Sequence, residues 1–175
     1  MAKRIGKYKV SNKESALSIA DGGTINGKLT ATGDTQVQII NPVSGSATAI
    51  TVTKATHGGR TTMIPQSIGS EIIHLMPTPE VGVKYHFVYV GGAVANEDIV
   101  FSADAVSATF EGTVTHHHEG DTDSVDVVYC SAVDNDVIDL LIPQAFELTF
   151  VGKSTSTYYV WGHSTSATVP TCTDG

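Results

Sequence analysis

The sequence predicts an all-β protein, an antiparallel β-sandwich of jelly-roll type preceded by an extended basic N-terminal arm. Three observations predict this fold. Short runs alternate apolar and polar residues with a period of two, as strands with one buried face do. Turn residues interrupt these runs roughly every eight to twelve positions. Valine, isoleucine and threonine replace the residues that favour long helices, and only 16% of the chain is charged.

The individual strands follow from this alternation and from the turns that end each run. Asn26-Gly27 supplies the positive φ angles of a tight hairpin turn. Pro77 and Pro79 end the run before them, because proline cannot donate to a central ladder. The predicted strands are residues 35–40, 48–53, 70–75, 84–90, 98–102, 108–111, 112–116, 123–129, 146–151 and 157–161, with residues 136–142 a strand or a short helix. The last two strands form a hairpin across Gly152-Lys153-Ser154.

Three segments make up the predicted domain organisation. Residues 1–20 are the polar, basic arm, and residues 21–163 are the β-sandwich domain, in which residues 21–60 form a separate β-hairpin layer in the alternative division. Residues 164–175 are a small, polar C-terminal tail. We expect this tail to be loosely ordered unless a neighbouring subunit holds it.

Charge is distributed unevenly along the chain. The net charge is −8, and eleven of the eighteen acidic residues lie between residues 97 and 139. Such a balance argues against direct nucleic-acid binding, which needs a positive surface. The first thirteen positions nevertheless hold half of the ten basic residues, namely Lys3, Arg4, Lys7, Lys9 and Lys13. This arm is either a solvated tail or a docking segment for an acidic surface.

The sequence contains neither a long apolar run nor a recognisable secretory signal. No apolar run approaches the roughly 18 residues that a membrane helix needs, so we expect no membrane partner. The basic start of the chain is followed by the polar run Ser11-Asn12-Lys13-Glu14, which is not the apolar core of a secretory signal. We therefore expect synthesis in the cytoplasm without export. In that compartment Cys130 and Cys172 are expected to be free thiols, with a single disulfide as the alternative.

The run His116-His117-His118 is the most conspicuous constellation of potential ligands. On a strand His116 and His118 share one face and His117 points away. Glu119, Asp121 and Asp123 follow closely enough to add carboxylates, or one histidine from each of three chains can meet on a threefold axis. No second ligand pair at metal-binding spacing accompanies the run. We therefore expect an exposed or interface loop without a cofactor, and His116 and His118 are the candidates if a metal binds.

Signatures of catalysis are missing from the sequence. It contains neither the Gly-x-Ser-x-Gly elbow of hydrolases nor the phosphate-binding Gly-x-x-x-x-Gly-Lys-Ser/Thr loop, so we expect no enzyme. The aromatic residues fall on predicted strands, and most are expected to form the core. Tyr158 and Tyr159 must face opposite sides of their strand. Whichever faces outward, together with Trp161, is the candidate for a subunit interface or for stacking on a sugar.

A further pattern covers residues 61 to 163. It consists of PTPEVGVKYHFV at residues 77–88, NEDIVFSA at 96–103, FEGTV at 110–114, LTF at 148–150 and YYVWG at 158–162. This pattern resembles a family of tailed-phage virion proteins found in viruses of cyanobacteria and marine bacteria. The stretch from His116 to Ala145 departs from the family as an insert, and Tyr158-Tyr159 stands where Trp-Tyr is commoner. The family comprises capsid-decoration and appendage proteins, typically β-sandwiches that assemble as trimers.

The resemblance implies a structural role on a virus particle. The first hypothesis is a homotrimeric decoration (cement) protein on the outer surface of an icosahedral phage head. It would bridge subunits of the major capsid protein, and the arm residues Lys3 to Lys13 would dock on the capsid. The second is a receptor-binding or glycan-binding head fibre or tail appendage that uses exposed aromatic residues. The third, a metal-dependent enzyme, requires tightly bound metal and turnover.

Overall fold

Two β-sheets account for most of the described part of the chain, which in this computed structural model comprises residues 39–40, 49–64, 71–90, 97–120 and 124–175. The strands are β1 (Ile39–Ile40), β2 (Ala49–Thr51), β3 (Thr61–Met63), β4 (Ile72–Leu75), β5 (Lys84–Val90), β6 (Ile99–Ser102), β7 (Thr109–His118), β8 (Val125–Cys130), β9 (Val137–Leu140), β10 (Ala145–Gly152), β11 (Thr157–Ser166) and β12 (Thr171–Thr173). One turn of α-helix, α1 (Lys54–His57), precedes β3, and a 3-10 turn covers Asp104–Val106. The predicted all-β class is confirmed.

Both sheets mix parallel and antiparallel neighbours. The seven-stranded sheet has the order β1-β3-β5-β10-β11-β7-β8, and the five-stranded sheet has the order β12-β9-β6-β4-β2. Among the described strands, five pairings are parallel, including β11 with β7 and β4 with β6. The predicted purely antiparallel arrangement is therefore wrong. Alternation along one strand identifies the strand but carries no information about the direction of its neighbour.

Aromatic side chains fill the space between the two sheets. Tyr85 and Phe87 of β5 point inward at alternate positions, as the predicted strand over residues 84–90 requires. Phe101 of β6, from the five-stranded sheet, packs on Phe87 and Phe150 of the seven-stranded sheet with ring centroids 5.0 Å apart in each pair. Fully buried side chains of this core also include Tyr89, Phe110, Phe146, Leu148, Tyr158, Val160, Ile99, Ile138 and Leu140. The core is therefore continuous across both sheets.

One histidine belongs to this core. The ring of His74, on β4, is fully buried and stacks on Phe101 with centroids 4.8 Å apart. Its Nδ1 lies 3.3 Å from the carbonyl oxygen of Val100. Burial lowers the pKa of His74 to about 4, since a charged ring has no access to water there. His74 is thus a neutral core residue at physiological pH.

The predicted closing hairpin is confirmed as β10 and β11, paired in antiparallel register from Ala145↔Thr165 to Gly152↔Tyr158. Its second strand contains Gly162, whose φ of +150° L side chains rarely adopt. A Cβ atom on Gly162 would lie 2.0 Å from the carbonyl oxygen of Glu147 on the neighbouring strand. Only glycine therefore allows the two backbones to approach this closely at the centre of the sheet.

The C-terminal residues are part of the two-sheet body. Strand β11 continues to Ser166, and β12 pairs antiparallel with β9. The expectation of a loose tail over 164–175 is therefore wrong for these segments, because backbone pairing on β9 holds the end of the chain. The predicted arm over residues 1–20 and the Asn26-Gly27 turn lie outside the described residues.

A disulfide links the edges of the two sheets. Cys130 at the end of β8 is bonded to Cys172 of β12, with Cα atoms 5.4 Å apart. Strand β8 is the last strand of one sheet and β12 is the last strand of the other. The expectation of free thiols is therefore wrong. The two residues are 42 positions apart in the sequence, and only the packing of the sheets brings them together.

Removing the disulfide should lower the free energy of unfolding. Closing a loop of 42 residues in the unfolded chain corresponds to about 4 kcal/mol. We expect Cys130→Ser/Cys172→Ser and the reduced wild-type protein to unfold at matching, lower urea concentrations than the oxidised protein. Thiol titration of the native, unreduced protein should detect no free cysteine. Two titrating thiols, or an unfolding midpoint unchanged by reductant, would contradict the linkage.

Acid should weaken the fold partly through His74. The pKa of His74 is lower in the folded protein (about 4) than its ordinary value of 6.5, so the unfolded chain takes up this proton first as the pH falls. The stability that His74 contributes is complete above pH 6.5 and is lost towards pH 4, with about 2 kcal/mol gone by pH 5. Urea titrations at pH 7 and pH 5 should show a smaller difference for His74→Leu than for the wild type.

Titrating groups that do not interact with His74 act on both proteins alike and cancel in this comparison, whereas the charge of His57 lowers the pKa of His74 and belongs to the measured difference. Burial also lowers the pKa values of His57 and His116, whereas burial and the nearby charges of Asp98 and Glu71 raise the pKa of Asp139 to about 6. The exposed His163 provides the control, since His163→Gln should keep the wild-type difference between the two pH values. An identical acid response of His74→Leu and wild type would exclude the assignment.

Candidate functional site

A strip of apolar side chains covers the outer surface of the seven-stranded sheet near the β8 edge. The members of this aromatic strip lie on β8 and β11 and are Val125, Val127, Tyr129, Tyr159 and Trp161. Strand β7 lies between them, and its Thr113 is the register partner of both Trp161 and Tyr129. Trp161 and Tyr129 are thus two strand spacings apart, about 10 Å.

Exposure and ring geometry mark this strip as a potential contact surface. Tyr129 is 75% exposed, and the rings of Tyr159 and Trp161 stand side by side with centroids 5.6 Å apart. Alternation explains the pattern, because the neighbours of the exposed residues on β11 are buried in the core. Glu111, beside Tyr159 in the sheet, pairs with Lys153, which places an ion pair at the margin of the strip.

Tyr158 does not belong to this surface. Its ring is fully buried against Tyr85 and Phe110, and its hydroxyl donates to the carbonyl oxygen of Pro77 at 2.6 Å. Burial raises the pKa of this hydroxyl. Tyr158 is therefore a core residue rather than an interface residue, and Tyr159 is the outward member of the pair. The interface role of Tyr159 and Trp161 stays a prediction.

The three consecutive histidines lie at the end of strand β7. His116 is fully buried on the inner face, His117 is exposed on the outer face, and His118 is half-buried on the inner face. The predicted alternation is confirmed, with the rings of His116 and His118 4.4 Å apart. The expectation of a loop is wrong, because β7 continues through all three residues and pairs with both neighbouring strands.

Asp126 is the carboxylate that the structure places beside these histidines. It is the register partner of His116 on β8, and its Oδ2 lies 2.7 Å from Nε2 of His118. Glu119 instead accepts a hydrogen bond from Gln144, and Asp121 and Asp123 lie outside the described residues. The sequence carries one signal for Asp126, since a hairpin between β7 and β8 brings its position opposite His116.

A basic groove lies on the same sheet, towards its opposite edge. It has a volume of about 310 Å³ and is lined by Gly59, Arg60, Thr61, Lys84 and His86. Three side chains at this groove form a line of hydrogen bonds. Nδ1 of His86 lies 2.9 Å from Oγ1 of Thr61, and Nε2 of His86 lies 3.0 Å from Oε1 of Glu147.

The order hydroxyl, imidazole, carboxylate in this groove is that of a catalytic triad. Acyl transfer also requires donors directed at a developing oxyanion. The guanidinium of Arg60, which lines the groove, donates to the carbonyl oxygens of Ala55 and Thr56 of helix α1. The line of hydrogen bonds joins strands β3, β5 and β10.

Comparisons with known proteins leave the chain without an assigned relative: no protein family, curated protein or solved structure matches it. The likeness to phage virion proteins therefore stays a prediction from the sequence. Among the described residues, no helix has the length and hydropathy that crossing a membrane requires.

Proposed function

We propose that this protein is a homotrimeric decoration (cement) protein on the outer surface of a phage head, in which the aromatic strip forms the contact between copies. The strip is the observation that carries the proposal. Soluble monomers rarely expose large apolar patches, and tyrosine and tryptophan are enriched where proteins meet. Two aromatic side chains of β11 and one of β8 dominate this surface.

Rigidity of the two-sheet body supports a mechanical role. A continuous aromatic core joins the sheets, and the Cys130–Cys172 bond links their edges. Disulfides persist in oxidising surroundings, among them the surfaces of virus particles, which accords with a protein made in the host cytoplasm and completed after release. The β-sandwich of jelly-roll type that the sequence predicts is part of this proposal, with the mixed strand directions described above.

The proposed mechanism is attachment at several points. A trimer that bridges neighbouring major capsid protein subunits adds buried area where internal DNA pressure separates them, and its linked contacts raise avidity. The basic arm with Lys3, Arg4, Lys7, Lys9 and Lys13, outside the described residues, is the proposed docking segment. No catalytic step and no cofactor enter this mechanism.

The strip should control assembly of the isolated protein. We expect a trimer of the full-length chain in analytical ultracentrifugation and a shift to monomer for Trp161→Ala and Tyr129→Ser. A central aromatic anchor contributes about 2 kcal/mol or more, so the dissociation constant should rise at least about thirtyfold. Val133→Thr is the matched control, because Val133 is 71% exposed but lies outside the strip.

A second experiment measures binding to phage heads by the wild type and by a chain that lacks residues 1–13. Cosedimentation with purified heads of the encoding phage should weaken as salt rises and on deletion of residues 1–13, since exposed charge pairs are screened. A wild-type monomer at all concentrations, or trimers unaffected by Trp161→Ala, would refute the strip as the self-contact. If binding to heads does not depend on salt and the chain without residues 1–13 binds as the wild type does, the arm is not the docking segment.

A receptor-binding or glycan-binding appendage is the second candidate, favoured by the exposed Tyr159–Trp161 pair. Adjacent aromatic rings provide a platform on which the apolar face of a sugar stacks. On a glycan array this function predicts saturable binding that Trp161→Ala abolishes while the unfolding midpoint is unchanged. Cement function predicts that neither the wild type nor Trp161→Ala binds glycans. The array therefore distinguishes the two candidate functions.

A further inference from the structure

Three potential metal ligands converge at the end of β7. His116 and His118 come from its inner face, and Asp126 comes from the neighbouring strand β8. One ligand atom of each residue lies within 4.8 Å of the other two. The set therefore joins two strands through two imidazoles and one carboxylate.

Hydrogen bonds fix the protonation of His116. Its Nε2 lies 3.1 Å from the carbonyl oxygen of Ser166 and 3.1 Å from the Ser166 hydroxyl. The carbonyl can only accept, and the hydroxyl donates its own hydrogen to the carbonyl of Thr168 at 2.6 Å. Nε2 therefore carries the proton and donates. Nδ1 is left with a free lone pair.

That lone pair is buried. His116 is fully buried, and its Nδ1 has no hydrogen-bond partner among the described residues. An acceptor without a partner in such a place costs free energy, which a donor or a cation offsets. Metal-binding histidines typically donate their second ring N–H to a carbonyl or carboxylate, as His116 does to Ser166.

We propose that His116, through Nδ1, together with His118 and Asp126 binds a divalent transition-metal ion of the zinc type. Two imidazoles in a set of three select zinc, copper, nickel or cobalt over calcium and magnesium, which take oxygen ligands. Tetrahedral ligand atoms at zinc are roughly 3.3 Å apart, so binding requires the three groups to move closer together. His118 and Asp126 are partly exposed and free to make this adjustment.

The ion replaces the hydrogen bond between His118 and Asp126 and ties the edge strand β8 to β7. Ser166 on β11 supports the site from behind as a positioning residue. Three protein ligands leave a fourth position to water or to a ligand from another copy. The site lies on the inner face of the sheet, opposite to the aromatic strip, so its occupancy is separable from assembly through the strip.

Zinc binding to the untagged, full-length, chelator-stripped protein tests the site. Isothermal titration should give one zinc equivalent per chain, and Co²⁺ should give d–d absorption bands in the same protein. Asp126→Asn and His118→Gln should each weaken zinc binding by at least about tenfold and remove the cobalt bands. Ser166→Ala should weaken zinc binding by about tenfold, through loss of the hydroxyl contact to His116.

His117→Gln is the matched control, because His117 is the sequence neighbour of both ligands and faces the opposite side of the strand. It should retain wild-type zinc affinity and cobalt bands, and far-UV circular dichroism should show that every variant is folded. The proposal is overturned by the absence of saturable binding, by an equal loss in His117→Gln, or by equal competition from calcium. Since Trp161→Ala keeps the ligand set intact, zinc affinity should survive in that variant whatever its oligomeric state.

Discussion

Contact between Phe101 and the facing phenylalanines is the constraint on which the rest of the structure depends. Phe101 projects from the five-stranded sheet and contacts Phe87 and Phe150, and the centroid of the Phe146 ring lies 6.0 Å from its own. Once these rings define the inner face, the two-residue period of each strand assigns every other side chain to the inside or the outside. The burial of His116 and the exposure of Trp161 both follow from this one choice.

Local patterns predict most of the strands, because the alternation that buries Tyr85 and Phe87 lies in consecutive residues. They do not predict β3 or β12, and the two runs predicted over residues 108–111 and 112–116 form the single strand β7. Local sequence patterns do not predict which strands are neighbours in a sheet. The parallel neighbours β7 and β11 are separated by three other strands in the sequence, and nothing in either strand specifies its partner. The same limit explains the disulfide and Asp126, since both depend on which strands meet. For Tyr158 and Tyr159 the sequence predicts opposite faces, and only the core decides which one is inside.

Strand β8 shows how a sheet edge can serve several purposes. An unpaired edge invites association with other chains unless it is short, covered or bonded. This strand has six residues, and its inward side chains include Cys130, held by β12, and Asp126, held by His118. Its outward side chains, by contrast, are apolar and exposed, as Tyr129 illustrates. Contacts on the inner face thus hold strand β8 in place, while its outer face remains available for a partner.

The inner face of the seven-stranded sheet changes character along its strands, and the change occurs at one level. Strand β7 passes from Phe110 and Val114 to His116, and β11 passes from Val160 to Ser164 and Ser166. The register pairs His116 with Ser164, so both strands become polar at the same level. A buried polar cluster lowers the stability of a core unless its groups are mutually satisfied. The hydrogen bonds of Ser166 satisfy one side of the His116 ring, whereas Nδ1 of His116 and Oγ of Ser164 have no hydrogen-bond partner among the described residues. The proposed ion would supply the missing partner of Nδ1.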